Sequence, residues 1–361
     1  MKQFISILVI IIIFNLCSCL NPKPLPLDKQ LSSTAKTSIL PWPSGLPVYD
    51  HIVIVVEENK DYEDIIGNSD APYINNVLKA QGANVTQMYG EEHYSQGNYF
   101  WLFSGDNQTV GFVDQIPSEK NHPNYPFTTS NIGEQLIEKG LSFKGYAESL
   151  PEIGFWGDKE KLYARKHVPW ISFANLPNGK TVATSSNLRF KDFPSHPSRY
   201  HTLPTVSFVI PNLENDMHNG SIEKSIPAGD GWLKKNIDPY YRWAKEHNSL
   251  LILTFDENDD KGGYLGLTNP VVNPKDCVGA DSDQAFCVDL QNRIVTIFAG
   301  AHIKAGDYSE GKGITHVNIL RTIEAMYGLF KAGAQQPNAV GIGISDDYII
   351  TDIFEIDQTK P

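Results

Sequence analysis

Five consecutive β-branched residues, Ile52-Val-Ile-Val-Val56, followed at once by Glu57-Glu-Asn59, constrain this chain more than any other stretch. A β-branched run with no polar alternation suits a strand buried on both faces, the kind found inside parallel sheets covered by helices. Open α/β sheets bind their ligands just beyond the carboxyl ends of such strands. Glu58 and Asn59 stand at that point, offering hard oxygen donors to a divalent cation or acceptors to a substrate hydroxyl. The plainer reading is a solvated strand end that runs into a helix cap. A second run, Leu250-Leu-Ile-Leu-Thr-Phe255, also stops at paired carboxylates, Asp256 and Glu257. Brought to one sheet edge, these acids would repel one another unless a cation or shared protons intervened. A divalent metal is the simpler answer, against two unrelated strand ends.

From Val48 onward strand-like and helix-like runs alternate. The strand-like runs are Ile52–Val56, Ser142–Ala147, Thr205–Ile210, Leu250–Phe255 and Arg293–Phe298; the helix-like runs are Ala71–Gln81, Ile132–Lys139, Trp232–His247 and His316–Tyr327. This order predicts an α/β fold, a mostly parallel central sheet with helices on both faces, in one domain over 48–361. Loops over about 104–130, 151–200 and 256–290 are long for a compact domain and are expected to wall the site.

The first 19 residues stand outside that fold. Lys2, the apolar run Phe4–Phe14 and Leu16-Cys-Ser-Cys19 read as a secretory signal too short to span a bilayer comfortably. Leu-x-Ser-Cys is also similar to a bacterial lipobox, which would acylate Cys19. Residues 20–47, with Pro22, Pro24, Pro26, Pro41, Pro43 and Pro47, read as an extended tether. The chain is therefore expected to be exported: periplasmic, an outer-membrane lipoprotein, or secreted, with membrane contact through the anchor only. Cys277 and Cys287, ten positions apart in an exported chain, predict a disulfide. A formal charge of −12 without long charged blocks argues against nucleic acid or an anionic membrane as a general partner.

The remaining chemistry centres on Glu91-Glu-His-Tyr-Ser-Gln-Gly-Asn-Tyr99. Ser95 precedes a short helical run whose aromatic face would pack inward. There it is either a plain N-cap or a nucleophile among free backbone N–H groups, where a phosphate or oxyanion is favoured. As a nucleophile it would need activation, which a metal held by the carboxylates would supply.

An ordered set of pieces then resembles the phosphoesterase family that groups bacterial acid phosphatases with phospholipases C, within the alkaline phosphatase superfamily. These are Val-Glu-Glu-Asn-Lys at 56–60, His-Tyr-Ser-Gln-Gly-Asn-Tyr at 93–99, Tyr-Ala-Arg-Lys-His-Val-Pro at 163–169 and Pro-Asn-Leu-Glu-Asn-Asp-Met-His at 211–218. Gly-Asp-Gly-Trp-Leu at 229–233, Thr-Phe-Asp-Glu at 254–257 and Thr-His-Val-Asn-Ile-Leu-Arg-Thr-Ile-Glu at 315–324 complete it. The chain departs from the family pattern at Tyr94 and Gly97, where prolines are usual.

The resemblance implies an alkaline-phosphatase-like fold and one divalent metal ion held by Glu58, Asn59, Asp256 and Glu257. It implies Ser95 as the nucleophile of a phosphoseryl intermediate and Asn98 as a contact to a phosphoryl oxygen. Lys166, His167, Asp216, His218 and His316 are expected to bind phosphate or to protonate the leaving oxygen. A protonated histidine in that role would favour acidic pH. An amide at Asn212 argues against a second metal site, Asp230 reads as a helix N-cap, and His196 and His201 carry no assignment. The implied activity is an acid phosphatase acting on small phosphomonoesters. A phospholipase C or other phosphodiesterase is the alternative, and a non-catalytic surface lipoprotein a third.

Overall fold

The computed structural model describes residues 45–110, 114–259, 292–308, 313–341 and 343–355. The signal segment with Cys19, nearly all of the tether, and the Cys277–Cys287 pair lie outside the described residues. Leu46, inside the expected tether, is already buried in the core.

Eight strands form the central sheet: β1 (His51–Glu57), β2 (Ala83–Val85), β3 (Phe143–Ala147), β4 (Asn187–Arg189), β5 (Val206–Ile210), β6 (Ser249–Phe255), β7 (Thr296–Gly300) and β8 (Gly306–Tyr308). Their order is β8-β2-β7-β6-β1-β5-β3-β4, and only β7 runs against the rest. Every residue from Ile52 to Glu57 is buried, so both faces of β1 are covered, as the unbroken β-branched run predicts. Each of its Ile and Val side chains contributes about 1.5–3 kcal/mol by leaving water. The parallel pairing of β1 with β6 sets Ile52 opposite Leu250 and Glu57 opposite Phe255. That register brings both carboxylate-bearing ends to the same level of the same edge.

Five helices matter for the site: α1 (Ser95–Ser104), α2 (Ile132–Glu138), α3 (Ile222–Asn236), α4 (Asp238–Ala244) and α5 (His316–Tyr327). Helix α1 is buried along its whole length and packs against α5. Helix α5 opens with a Thr315/Asn318 capping box and ends at Gly328 in the left-handed region (φ 58°). Beyond β1 the chain presents Glu58 to the α1 side, where Ser95 and Tyr99 meet it.

Several expected elements differ. The single helix at Trp232–His247 is two, α3 and α4, separated at Ile237, with Pro239 in the first turn of α4 where its missing N–H costs no helical bond. Because α3 starts at Ile222, Asp230 lies inside it and caps no helix of its own. Its carboxylate accepts the backbone N–H groups of Tyr73 and Ile74 instead, heading the helical turn Ile74–Lys79 inside the expected Ala71–Gln81 run. The run Arg293–Phe298 breaks at Val295 into Arg293–Ile294 and β7. Strands β2, β4 and β8 have three residues each, too short for a hydrophobic period to reveal.

Candidate active site

Ser95 is the first residue of α1 and is wholly buried. The residue before it, Tyr94, has φ 104° and ψ 112°, a backbone region that side chains rarely adopt and that proline's fixed φ forbids. The departure from proline at 94 is therefore matched by a loop that proline could not form. The turn is tied to the sheet edge, because the Tyr94 N–H donates to Glu257 Oε2. Ser95 Oγ lies 3.0 Å from Glu58 Oε2 and 3.2 Å from Glu257 Oε1. A hydroxyl donates only one proton, so two carboxylates can share it only if one is protonated or a cation sits beside them.

The loop ahead of α1 is organised by Glu92. Its backbone N–H donates to Asn98 Oδ1, its carbonyl accepts from the amides of Asn98 and Asn292, and Oε1 accepts from Trp101 Nε1 and Asn107 Nδ2. Burial lifts this carboxyl up to about 7. The glycine at 97 now has its reason: a Cβ there would lie 2.1 Å from Glu92 Oε2. Since Glu92 is pinned through its other oxygen, Gly97→Ala is expected to destabilise by about 1–3 kcal/mol. Thermal unfolding checks this, and a melting temperature unchanged from wild type would refute it.

Around Ser95 stand further buried acids. Glu58 Oε1 accepts the Tyr99 hydroxyl and lies 3.3 Å from His167 Nε2, while His167 Nδ1 is 3.7 Å from Asp216 Oδ2. The Tyr99 ring stacks on His167 at 5.2 Å. Glu58, His167 and Asp216 offer ligand atoms all within 4.8 Å of one another, a spacing one cation can bridge. Asp256 Oδ1 accepts the N–H groups of Asn59 and Glu257, and its Oδ2, like Asp216 Oδ2 and Asn59 Oδ1, is buried without a hydrogen-bond partner. Burial first, and repulsion from Asp256 second, push Glu58 and Glu257 well above the usual carboxylate range; burial also lifts Asp216 and Asp256. Burial drives His167 well below its ordinary value and lowers His218 too. For Lys166 burial pulls downward, but Glu58 and Asp114 outweigh it and hold the ammonium charged.

The structure thus gathers Glu58, Ser95, Lys166, His167, Asp216, Asp256 and Glu257, with His218 at 6.1 Å ring to ring from His167. Asn59 reaches the cluster through its backbone N–H and its partnerless Oδ1, in a left-handed conformation (φ 44°). Two expected site residues have other occupations. Asn98 Oδ1 accepts the Glu92 N–H and its Nδ2 donates to the Glu92 carbonyl, which ties the amide to the Glu92 backbone. His316 has both ring nitrogens engaged, 2.6 Å from Glu91 Oε2 and 2.8 Å from the Phe255 carbonyl. It steadies the chain just before Asp256 rather than facing a leaving group. Asn212 closes an Asx-type turn onto Glu214 and Asn215, and His196 accepts from Ser198 N at the surface.

Three contributors receive no role from the sequence. Tyr99 had a usable signal, since it lies four residues after Ser95 and so shares its helix face. Asp114, which binds Lys166 and the Gln96 N–H, comes from a loop with no periodicity. Lys60 donates to the carbonyls of Asn59 and Met217 and so fastens the Glu58 turn to the Asp216 turn.

Comparison with known proteins matches residues 68–330 to the Phosphoesterase family. The chain is 40% identical over 290 residues to a phosphatidylinositol-3-phosphatase of Mycobacterium tuberculosis, covering 80% of this chain and 81% of that protein. It is 28% identical over 253 residues to a probable acid phosphatase of Kluyveromyces lactis, covering 68% of this chain and 56% of the relative. An acid phosphatase of Aspergillus fumigatus is 28% identical over 286 residues, covering 76% and 54%. The chain thus spans about half the length of these fungal relatives. Among solved structures, a protein of the alkaline phosphatase superfamily from Vibrio parahaemolyticus superimposes with a TM-score of 0.50 at 10% identity, over 84% of this chain and 71% of that one. That likeness concerns the fold alone.

Proposed function

This chain belongs to the Phosphoesterase family and is a phosphoric ester hydrolase, and we propose that it is a metal-dependent acid phosphatase working on phosphomonoesters through a phosphoserine. One observation carries the reading: a buried serine heads a helix with its Oγ at 3.0 and 3.2 Å from two buried carboxylates.

Among the described residues, the acids and histidine whose ligand atoms lie within 4.8 Å of one another are Glu58, His167 and Asp216, a set that fits one divalent cation. Asn59, Asp256 and Glu257, expected from the sequence to share that cation with Glu58, are tied to the same sheet edge, and the partnerless Asn59 Oδ1 and Asp256 Oδ2 are acceptors that a cation would satisfy. Such a cation would lower the pKa of the Ser95 hydroxyl and offset charge on the phosphoryl oxygens.

Ser95 Oγ passes its proton to Glu58 or Glu257 and attacks phosphorus in line with the ester oxygen. The backbone N–H groups of the first turn of α1 and the Lys166 ammonium hold the phosphoryl oxygens. His218 donates a proton to the departing alcohol. With its pKa lowered, its acid form is populated only at acidic pH, which gives an acidic optimum. Water then attacks phosphoserine from the side the alcohol has left, releasing phosphate and regenerating the hydroxyl.

The substrate is a small phosphorylated molecule, and the 40% identical relative makes a phosphoinositide monoester the first lipid to try. Export rests on residues 1–19, whose lipobox-like Cys19, like the Cys277–Cys287 disulfide, is an inference from sequence. Among the described residues no helix is long and apolar enough to cross a membrane. The test compares nitrophenyl phosphate, phosphatidylinositol 3-phosphate, bis-nitrophenyl phosphate and phosphatidylcholine across pH 4–9, with and without EDTA. We expect chelator-sensitive hydrolysis of the monoesters with an acidic optimum. Preference for either diester would move the assignment to a phosphodiesterase or phospholipase C.

A further inference from the structure

Helix α1 carries a nucleophile at its first residue, yet its first turn holds no acidic residue and its N-cap side chain makes no capping bond. The anion that such a helix start attracts comes from elsewhere. Asp114 Oδ1 accepts the N–H of Gln96, the residue immediately after Ser95, at 3.1 Å. Asp114 Oδ2 accepts from Lys166 Nζ at 2.6 Å. One carboxylate therefore bridges two donors that converge beside the nucleophile.

A phosphoryl group bonded to Ser95 Oγ would need the same donors. Its oxygens lie next to the following backbone N–H, and a neighbouring ammonium supplies fixed positive charge among the surrounding acids. The Gln96 N–H has a single proton and cannot serve both anions. A carboxylate and a phosphate dianion held together there would repel each other, and more strongly at the low effective dielectric of the protein than in water. The Asp114 side chain remains 30% exposed, whereas Glu58 and Asp216 are sealed, so water is within reach of a displaced Asp114 carboxylate.

We propose that Asp114 is a built-in phosphate mimic: its carboxylate occupies the phosphoryl subsite formed by Gln96 N–H and Lys166 Nζ in the free enzyme and must leave it when a phosphoryl group binds. The inference rests on Ser95 as the phosphate-accepting residue. Asp114 thereby competes with substrate and with product phosphate alike, which weakens product retention at the expense of ground-state affinity.

The experiment titrates inorganic phosphate into the metal-loaded wild-type protein and the Asp114→Asn and Asp114→Ala variants by calorimetry, beside its inhibition of nitrophenyl phosphate hydrolysis. Removing the negative charge should tighten phosphate binding by about 5–30-fold, the equivalent of roughly 1–2 kcal/mol at 1.4 kcal/mol per decade. Unchanged or weaker binding in both variants overturns the proposal and makes Asp114 a positioning residue for Lys166. If neither variant folds, a crystal of the wild-type protein with phosphate decides. A carboxylate displaced from Gln96 N–H and Lys166 supports the mimic, and one still seated on both with phosphate bound at Ser95 refutes it. Tighter phosphate binding in a protein that hydrolyses no monoester would keep the mimic while discarding the phosphatase reading; hydrolysis with no tightening would do the reverse.

Discussion

Ser95→Ala is expected to lower nitrophenyl phosphate turnover by roughly 10⁴-fold or more, the scale on which enzymes lose a nucleophile that acts with its activating groups as a unit. The hydroxyl is buried and its Oγ lies within hydrogen-bond distance of Glu58 and Glu257, so its removal takes away one oxygen and leaves the helix start in place. The Tyr94 N–H bond to Glu257 and the Tyr99 bond to Glu58 do not involve it. The variant should therefore fold, bind divalent cations and retain affinity for phosphate. Burst kinetics on wild type and trapping of labelled phosphate on Ser95 complete the test. A variant that is folded and still turns over within tenfold of wild type would remove Ser95 from the mechanism and direct attention to metal-activated water.

The second large effect is a coupling of stability, pH and metal. Burial raises Glu57, Glu58, Asp216, Asp256 and Glu257 alike, and neighbouring carboxylates add to it for all of them but Asp256. In the unfolded chain such groups titrate near pH 4. A folded-state pKa above the unfolded one means that the folded protein holds protons the unfolded chain has released. The associated stability is fully present below about pH 4 and is lost as pH rises through the raised values. A divalent cation replaces those protons with fixed positive charge, so its benefit grows as they leave. At a hundredfold excess over its Kd a cation adds about 2.7 kcal/mol. We expect manganese or zinc to raise the melting temperature by several degrees at pH 8 and by far less at pH 5, with EDTA reversing the shift. Calorimetry in buffers of different ionisation enthalpy should record proton release on binding. An equal metal shift at both pH values, or binding without proton release, would contradict the cluster as the cation's site.

Much of this cluster is legible in the amino-acid sequence. The β-branched runs ending in Glu58 and in Asp256 announce two buried strands with carboxylates at their ends, because burial on both faces is a local property of side-chain type. The ordered motifs place Ser95, Lys166, His167 and His218 in one family pattern, and the structure gathers them around the sheet edge. Helix ends are less legible: Gly229-Asp-Gly looks like a helix start, yet α3 runs through it because burial of Ile226 and Leu233 outweighs local propensity.

What the sequence by itself determined was therefore the kind of chain: a buried, mostly parallel sheet, acids at its carboxyl edge, and a serine before a helix. Tertiary structure alone decided who touches whom. The β1–β6 register sets Glu57 opposite Phe255, Asp114 reaches Gln96 across 18 residues, and Tyr99 reaches Glu58 across 41. Asn98 was turned inward to Glu92, and His316 was claimed by Glu91, 225 residues away. The reason is physical. Burial preference repeats along the chain and leaves a period to read, whereas a hydrogen bond between distant residues depends on which other donors and acceptors the folded core has already satisfied.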